Sequence, residues 1–134
     1  MRTRTVYVAG PFNSNGAVGV LGNMRRGIRT CIELLVKHNF APFCPWNDAF
    51  FALLTDEEIP IEKFYAYSLA WLEKSDAVLV LPGWENSKGT CREMARASDL
   101  GIPIFFDIDA LLEWRDELDQ RGAEEDLMAW ESGK

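Results

Sequence analysis

Short apolar runs alternate along this chain with longer segments whose apolar residues recur at helical spacing. The runs predict four β-strands, at 5–9, 40–44, 77–81 and 102–106. The helical spacing predicts four helices, at 23–38, 61–74, 89–100 and 109–120. Strands that alternate with helices build a parallel sheet covered on both faces. The pattern therefore predicts an α/β fold, a single-domain Rossmann- or flavodoxin-like three-layer sandwich with a mostly parallel sheet of four to five strands.

Acidic side chains are concentrated at the end of the sequence. We expect one domain over residues 1–120, followed by an acidic C-terminal tail at 121–134. The chain has 134 residues and a formal net charge of −7. Residues 107–134 contain ten acidic and three basic side chains, whereas residues 1–106 contain eleven of each. A neutral body argues against duplex nucleic acid, which needs a basic face, but is compatible with a small phosphate ligand.

Cysteine usage and hydropathy favour a reducing compartment. The apolar run Val6–Ala9 is too short for a signal peptide, and no run of about 18 apolar residues could cross a membrane. Three scattered cysteines without a CxxC pair are typical of free thiols: Cys31, Cys44 and Cys91. The single histidine, His38, cannot supply the usual zinc motifs. We expect a cytoplasmic protein with no membrane contact, no metal and no cofactor.

Three loops are candidates for a ligand crevice. In parallel sheets of this kind the crevice lies beyond the carboxyl ends of the strands, which selects the loops 10–22, 45–60 and 82–89. The candidate substrate contacts are Gly10, Phe12, Asn13, Trp46, Trp84, Ser87, Gly89 and Thr90. Trp46 and Trp84 could each stack on a base or simply cover the edge of the core.

The most informative stretch runs from the third predicted strand into the helix after it. A strand, a turn and a glycine-led helix form an anion site, because helix N-terminal amides attract negative charge. The Ser87 hydroxyl and the amides of residues 88–90 could hold a phosphate or a sugar hydroxyl. Glu93 is expected in the first turn of that helix, pointing into the same crevice. A capping box, Thr90-x-x-Glu93, would explain the same residues without any function.

Three segments carry a family resemblance: Val6–Pro11 (VYVAGP), Ser68–Ala77 (SLAWLEKSDA) and Ser87–Ala97 (SKGTCREMARA). Together they resemble the nucleoside 2-deoxyribosyltransferase superfamily, which includes the deoxynucleoside 5′-monophosphate N-glycosidases. The segment Leu81–Ser87 (LPGWENS) is most similar to a small branch found in phages and bacteria. The resemblance extends over residues 4–106 and implies that the predicted domain is a nucleoside deoxyribosyltransferase-like α/β domain.

The resemblance also implies roles for individual residues. Glu93 matches the family nucleophile, a carboxylate that attacks the anomeric carbon of the sugar and forms a glycosyl ester. Tyr7 matches a tyrosine that hydrogen-bonds this glutamate, and Ser87 matches a serine that contacts a 5′-phosphate. Ser68 stands where the family has an aspartate that helps to protonate the leaving base. A serine cannot replace that acid at neutral pH, so another acid such as Asp48 is required, or activity is weakened or lost.

The function implied is cleavage or transfer at the N-glycosidic bond of a (deoxy)nucleoside or a nucleoside 5′-monophosphate. The expected partners are that small molecule and a second copy of the chain, since family members complete their sites within a homodimer or larger homo-oligomer. Two alternatives stay open. The missing aspartate at Ser68 suits a non-catalytic nucleotide-binding or sensor module. Gly89-Thr90-x-x-Glu93 also resembles the end of the cytokinin-activating phosphoribohydrolase motif.

Overall fold

Four short strands pair into one sheet in the computed structural model, which describes residues 2–133. They are β1 (Thr5–Ala9), β2 (Ala41–Phe43), β3 (Ala77–Val80) and β4 (Ile104–Phe105). Their order is β2-β1-β3-β4, and each neighbouring pair runs parallel. Tyr7 lies in register between Phe43 and Val78. All four predicted strands are confirmed, three of them shorter than expected.

Five α-helices connect and follow these strands within residues 2–133. They are α1 (Ala17–Val36), α2 (Ala49–Leu53), α3 (Ile61–Leu72), α4 (Lys88–Asp99) and α5 (Ile108–Ser132). Two single turns of 3₁₀ helix lie at Pro45–Asp48 and Trp84–Asn86. None of these helices is long and apolar enough to cross a membrane.

The helices cover both faces of the sheet. Successive side chains of a strand point to opposite faces of the sheet, so a strand can contribute side chains to two hydrophobic cores. The core shared with α1 and α5 contains Val6, Val8, Leu34, Phe40, Leu79 and Leu111. The core shared with α3 and α4 contains Tyr7, Ala9, Leu72, Val78, Val80 and Ala97. All four residues of β3 are buried, as expected for a central parallel strand. The α/β three-layer sandwich is confirmed.

The predicted element boundaries fail at three places. The loop predicted at 10–22 ends at residue 16, because α1 continues through Gly19 and Gly22. Tertiary packing overrides the low helix propensity of these glycines, and the Ser14 side chain occupies the space beside Gly19. The loop predicted at 45–60 contains a 3₁₀ turn and α2. The last helix, predicted to end at 120, continues to Ser132, so the acidic segment is helical.

The amino ends of β1 and β3 are tied together by Asp76. Its carboxylate accepts hydrogen bonds from the Thr5 amide at 2.8 Å and from Arg2 at 2.6 and 2.7 Å. The Arg2 guanidinium, with the Thr5 donors, holds the pKa of Asp76 below its ordinary value. Asp76 therefore stabilises the sheet at the end opposite the predicted crevice.

Candidate active site

A cavity of about 350 Å³ opens at the carboxyl ends of β1 and β2. Its lining comes from the loop after β1, the 3₁₀ turn and α2 after β2, and helices α3 and α4. The lining residues are Gly10, Phe12, Asn13, Pro45, Trp46, Asp48, Ala49, Ala52, Ile61, Phe64, Tyr65, Ser68 and Glu93. The volume lies within the range of about 300–1,000 Å³ that is typical of small-molecule sites. Seven of the sequence-predicted residues thus line one cavity.

Trp46 forms the floor of this cavity between two glycines. Its indole Nε1 donates a hydrogen bond to the Pro11 carbonyl at 3.1 Å. A Cβ atom on Gly27 of α1 would lie 2.3 Å from the indole ring, and one on Gly10 would lie 3.1 Å from it. The glycines therefore let the ring pack flat against α1. Trp46 is only 1% exposed and belongs to the core cluster, which favours the core role over the stacking of a base on this ring.

Aromatic side chains of α3 also line the cavity, although none of them is among the site residues predicted from the sequence. Phe64 and Tyr65 follow Ile61 and precede Ser68 at the three- and four-residue spacing of one helix face. That spacing was visible in the sequence, but it also describes an ordinary core-facing helix. The Arg92 guanidinium lies over the Tyr65 ring, 4.6 Å from its centroid, and holds that ring beside the cavity.

Tyr7 and Glu93 meet below the cavity on the α3–α4 side of the sheet. The Tyr7 ring is fully buried and stacks on Phe43 at a centroid distance of 5.3 Å. Ser68 and Glu93 lie close enough to act on the pKa of the Tyr7 hydroxyl, yet neither meets the geometry of a formed hydrogen bond. The Tyr7 hydroxyl and Glu93 Oε2 are thus two buried polar atoms without a partner. Leaving such an atom unsatisfied costs about 1–3 kcal/mol, which suggests that a ligand supplies the missing partner.

Two carboxyl groups of the cavity have raised pKa values. Burial raises the pKa of Glu93 to about 7; the charge of Asp48 adds to the rise and the Tyr7 hydroxyl opposes it. Burial likewise raises the pKa of Asp48 to about 6, opposed by hydrogen bonding from the Ser68 hydroxyl. Burial, followed by the charge of Glu93, raises the pKa of Tyr7. At a pH between these two carboxyl pKa values the carboxyl pair therefore holds about one proton.

The predicted anion site at the start of α4 lies outside the cavity lining. Ser87, not Thr90, is the N-cap of α4: its Oγ accepts hydrogen bonds from the Thr90 amide at 3.2 Å and the Thr90 hydroxyl at 2.8 Å. Thr90 is 1% exposed. Because α4 begins at residue 88, Glu93 lies in its second turn, not the first as predicted.

Two further predicted contacts, Trp84 and Gly89, are also absent from the cavity lining. The Trp84 ring packs against Phe106 at a centroid distance of 5.7 Å. It also borders the core cluster between the sheet and helices α3 and α4. The loop 82–89 thus supplies no cavity-lining residue, and its contribution to the site is to position α4 and hence Glu93.

The fold and this site define a Rossmann-like α/β protein with a small-molecule cavity at the carboxyl edge of a parallel sheet. A family model for a domain of unknown function, DUF4406, matches residues 46–106, which include Asp48, Ser68 and Glu93 but not Tyr7. The solution structure of BlsM shares the fold at 21% sequence identity, with a TM-score of 0.54; the match covers 90% of this chain and 76% of that chain. A search of curated proteins finds no match.

Proposed function

We propose that this protein cleaves or transfers the N-glycosidic bond of a (deoxy)nucleoside or its 5′-monophosphate through a glycosyl ester on Glu93. The observation that carries the proposal is the buried Glu93 Oε2 atom, which lacks a hydrogen-bond partner and belongs to a cavity-lining residue. A carboxylate freed of competing hydrogen bonds can approach the anomeric carbon of a bound sugar. The transition state of that attack is oxocarbenium-like and positive, so a carboxylate stabilises it as well as reacting with it.

Tyr7 is the proposed positioning residue for this nucleophile. Its hydroxyl faces the Glu93 carboxyl from the adjacent strand, and its ring is immobilised by stacking on Phe43. Contact of the hydroxyl with one carboxylate oxygen would leave the other free to react. Phe12, Phe64 and Tyr65 supply apolar walls suited to a nucleobase.

The lining residues favour a neutral nucleoside over its 5′-monophosphate. They include two carboxyl groups and no Lys, Arg or His, and all of them lie in the described part of the chain. The Ser87 hydroxyl, which the resemblance assigns to a phosphate, instead caps α4. A phosphate placed in this cavity would meet repulsion without a compensating cation.

The family resemblance implies a homodimer or larger homo-oligomer, and we propose this for the present chain. Helix α2 contributes two residues, Ala49 and Ala52, to the cavity lining. The exposed apolar side chains on and just after this helix support a covering second copy: Phe50, Phe51, Leu53 and Leu54. Multi-angle light scattering of the purified protein measures the mass directly, and a monomer at all concentrations would contradict the proposal.

The enzymatic proposal is tested by chromatography of nucleosides and 5′-monophosphates incubated with the wild type and with Glu93→Gln. Half of the reactions contain a second free base as acceptor. Free base from the wild type alone supports hydrolysis, and a new nucleoside supports transfer. Glu85→Gln, on the exposed 3₁₀ turn before α4, is the matched control and should retain activity. A folded Glu93→Gln variant with full activity would refute the proposal.

A second candidate function is a nucleotide-binding or sensor module without catalysis. The observation that favours it is Ser68, a buried serine at the position where the family has an aspartate. This module predicts that calorimetry detects binding of a nucleoside or nucleotide while no free base forms over hours. Release of free base that depends on Glu93 would exclude it.

A further inference from the structure

The acid that replaces the family aspartate can be assigned from the cavity, on the condition that the proposed glycosidic chemistry is correct. We infer that Asp48 is the acid–base residue of this site: it protonates the departing base and later accepts a proton from the incoming water. Two observations support this: the Asp48 side chain lines the cavity, and few other groups of the cavity could donate a proton.

The Asp48 carboxyl is available for such a role. Asp48 ends the 3₁₀ turn after β2 and is the N-cap residue of α2, yet its side chain makes no capping hydrogen bond. Its backbone is already helical there, with φ −60° and ψ −22°, so a capping bond is not expected and the helix makes no use of the carboxyl. The Asp48 carboxyl instead belongs to the cavity lining, where Glu93 also lies.

Ser68 connects the two halves of the site. Ser68 lines the same cavity as Asp48 and Glu93, and it lies close enough to Asp48 and to the Tyr7 hydroxyl to oppose the rise in the pKa of each. The series Asp48, Ser68, Tyr7 and Glu93 joins the 3₁₀ turn, α3, β1 and α4. Ser68 thus has the sequence position of the family aspartate and lies beside Asp48 in the cavity, without supplying a proton itself.

Few other groups in the cavity could donate the proton. Asp48 and Glu93 are the two carboxyl groups among the lining residues, and Glu93 is assigned to nucleophilic attack. The titratable groups that interact electrostatically with Asp48 are Glu93, Tyr7 and the Cys44 thiol, and Tyr65 is a further titratable residue of the cavity lining. Tyr65 is the competing donor, and its variant is part of the test.

Hydrolysis takes two steps in this proposal. The reactive form has Glu93 ionised and Asp48 protonated. A Glu93 carboxylate oxygen bonds to C1′ while the C1′–N bond breaks. The electron pair of the broken bond stays on the base, which takes the proton of Asp48. Water then bonds to C1′, the ester bond to Glu93 breaks, and the proton of that water goes to Asp48. Both carboxyl groups return to their initial states. With a free base as acceptor, the second step gives a new nucleoside instead.

Two nucleosides that differ only in the leaving base provide the sharpest test. N7-methylation lets a purine depart without a proton, and 5-fluorination does so in part for a pyrimidine. General acid catalysis is worth roughly 10²–10⁴-fold, so Asp48→Asn should lower kcat on the unmodified nucleoside by about that factor. Its loss on the activated nucleoside should be below about tenfold. Asp56→Asn on an exposed loop is the matched control, and Tyr65→Phe should affect both substrates alike.

The pH profile gives a second readout for any substrate. Wild-type kcat/KM should be bell-shaped, because the reactive form holds one proton on the carboxyl pair. Asp48→Asn should lose the fall at high pH and keep the rise that reports ionisation of Glu93. Asp48→Ser, checked by circular dichroism, replaces Asp48→Asn if the latter fails to fold.

The outcomes separate the two proposals. Wild-type turnover with an equal loss on both leaving bases, or with no loss in Asp48→Asn, overturns the assignment of Asp48 alone. No wild-type turnover on either nucleoside overturns the glycosidic function, and the role of Asp48 with it. A selective loss that follows Tyr65→Phe instead would transfer the acid role to Tyr65.

Discussion

Glu93→Gln should make the folded protein more stable at neutral and basic pH, although it removes the proposed nucleophile. Burial raises the pKa of Glu93 from an ordinary value of 4.5 to about 7, so the folded state holds this proton more tightly than the unfolded chain. Below the unfolded pKa the group is protonated in both states and costs nothing. As the pH rises toward the folded pKa, the unfolded chain ionises first and the wild type loses stability.

The size of this effect follows from the pKa shift. Each pKa unit corresponds to about 1.4 kcal/mol, so the rise from 4.5 to about 7 predicts a loss of about 3 kcal/mol in the free energy of unfolding by about pH 8. A neutral glutamine of similar volume avoids that loss. The advantage of Glu93→Gln should therefore grow from below about 1 kcal/mol at about pH 5 to about 3 kcal/mol at about pH 8.

Urea denaturation followed by tryptophan fluorescence measures this difference across the pH range. Asp48 is present in both proteins, so the difference between wild type and variant reports Glu93 together with its interaction with Asp48. Glu85→Gln controls for the loss of a surface charge and should follow the wild type. Parallel pH curves for wild type and Glu93→Gln would refute the burial argument, even if the variant is inactive.

Three further substitutions and one comparison of substrates test other parts of the structure. Gly27→Ala places a Cβ atom 2.3 Å from the Trp46 ring and should cost about 1–3 kcal/mol in thermal unfolding. Gly122→Ala, in an open part of α5, should instead stabilise the protein by about 0.5–1 kcal/mol. Asp76→Asn should lower stability by about 1–3 kcal/mol at neutral pH and leave activity unchanged. This loss should disappear as the pH falls through the lowered pKa of Asp76. A nucleoside should exceed its 5′-monophosphate in kcat/KM by at least about tenfold, and the reverse order would contradict the absence of a cation in the cavity.

Periodicity was sufficient to predict the layers of this fold. The continuous apolar run of β3 is buried on both faces, and the alternation of strands and helices fixes a parallel sheet. The ends of helices and loops were less predictable, because glycines and other loop-forming residues indicate only the local backbone preference. Gly19 lies inside α1, where the Ser14 side chain fills the space that a Cβ atom would need, a contact that cannot be recognised before the chain is folded.

Part of the candidate site was predictable for the same reason. The carboxyl-edge rule and the family resemblance led to Glu93, Tyr7 and Asp48 as candidates. The solvent exposure of a side chain was not predictable, because it depends on packing in the folded chain. The position of Trp46 on a crevice loop left base stacking and a core role both open, and only the structure shows that Gly27 leaves a space on α1 for its ring. Ser87 was assigned to a phosphate, and its distance from the cavity follows from where α4 begins.

The carboxyl groups at the two ends of the sheet have opposite surroundings, and this difference supports catalysis at the carboxyl end. At the amino end, Asp76 has an arginine and the Thr5 amide and hydroxyl as donors, and its pKa is lowered. At the carboxyl end, Glu93 and Asp48 line a cavity to which residues 2–133 contribute no Lys, Arg or His, and both pKa values are raised. Their burial lowers stability without any compensating ion pair. A positive charge that exists only during reaction, such as an oxocarbenium-like sugar, would supply the partner that the resting site lacks.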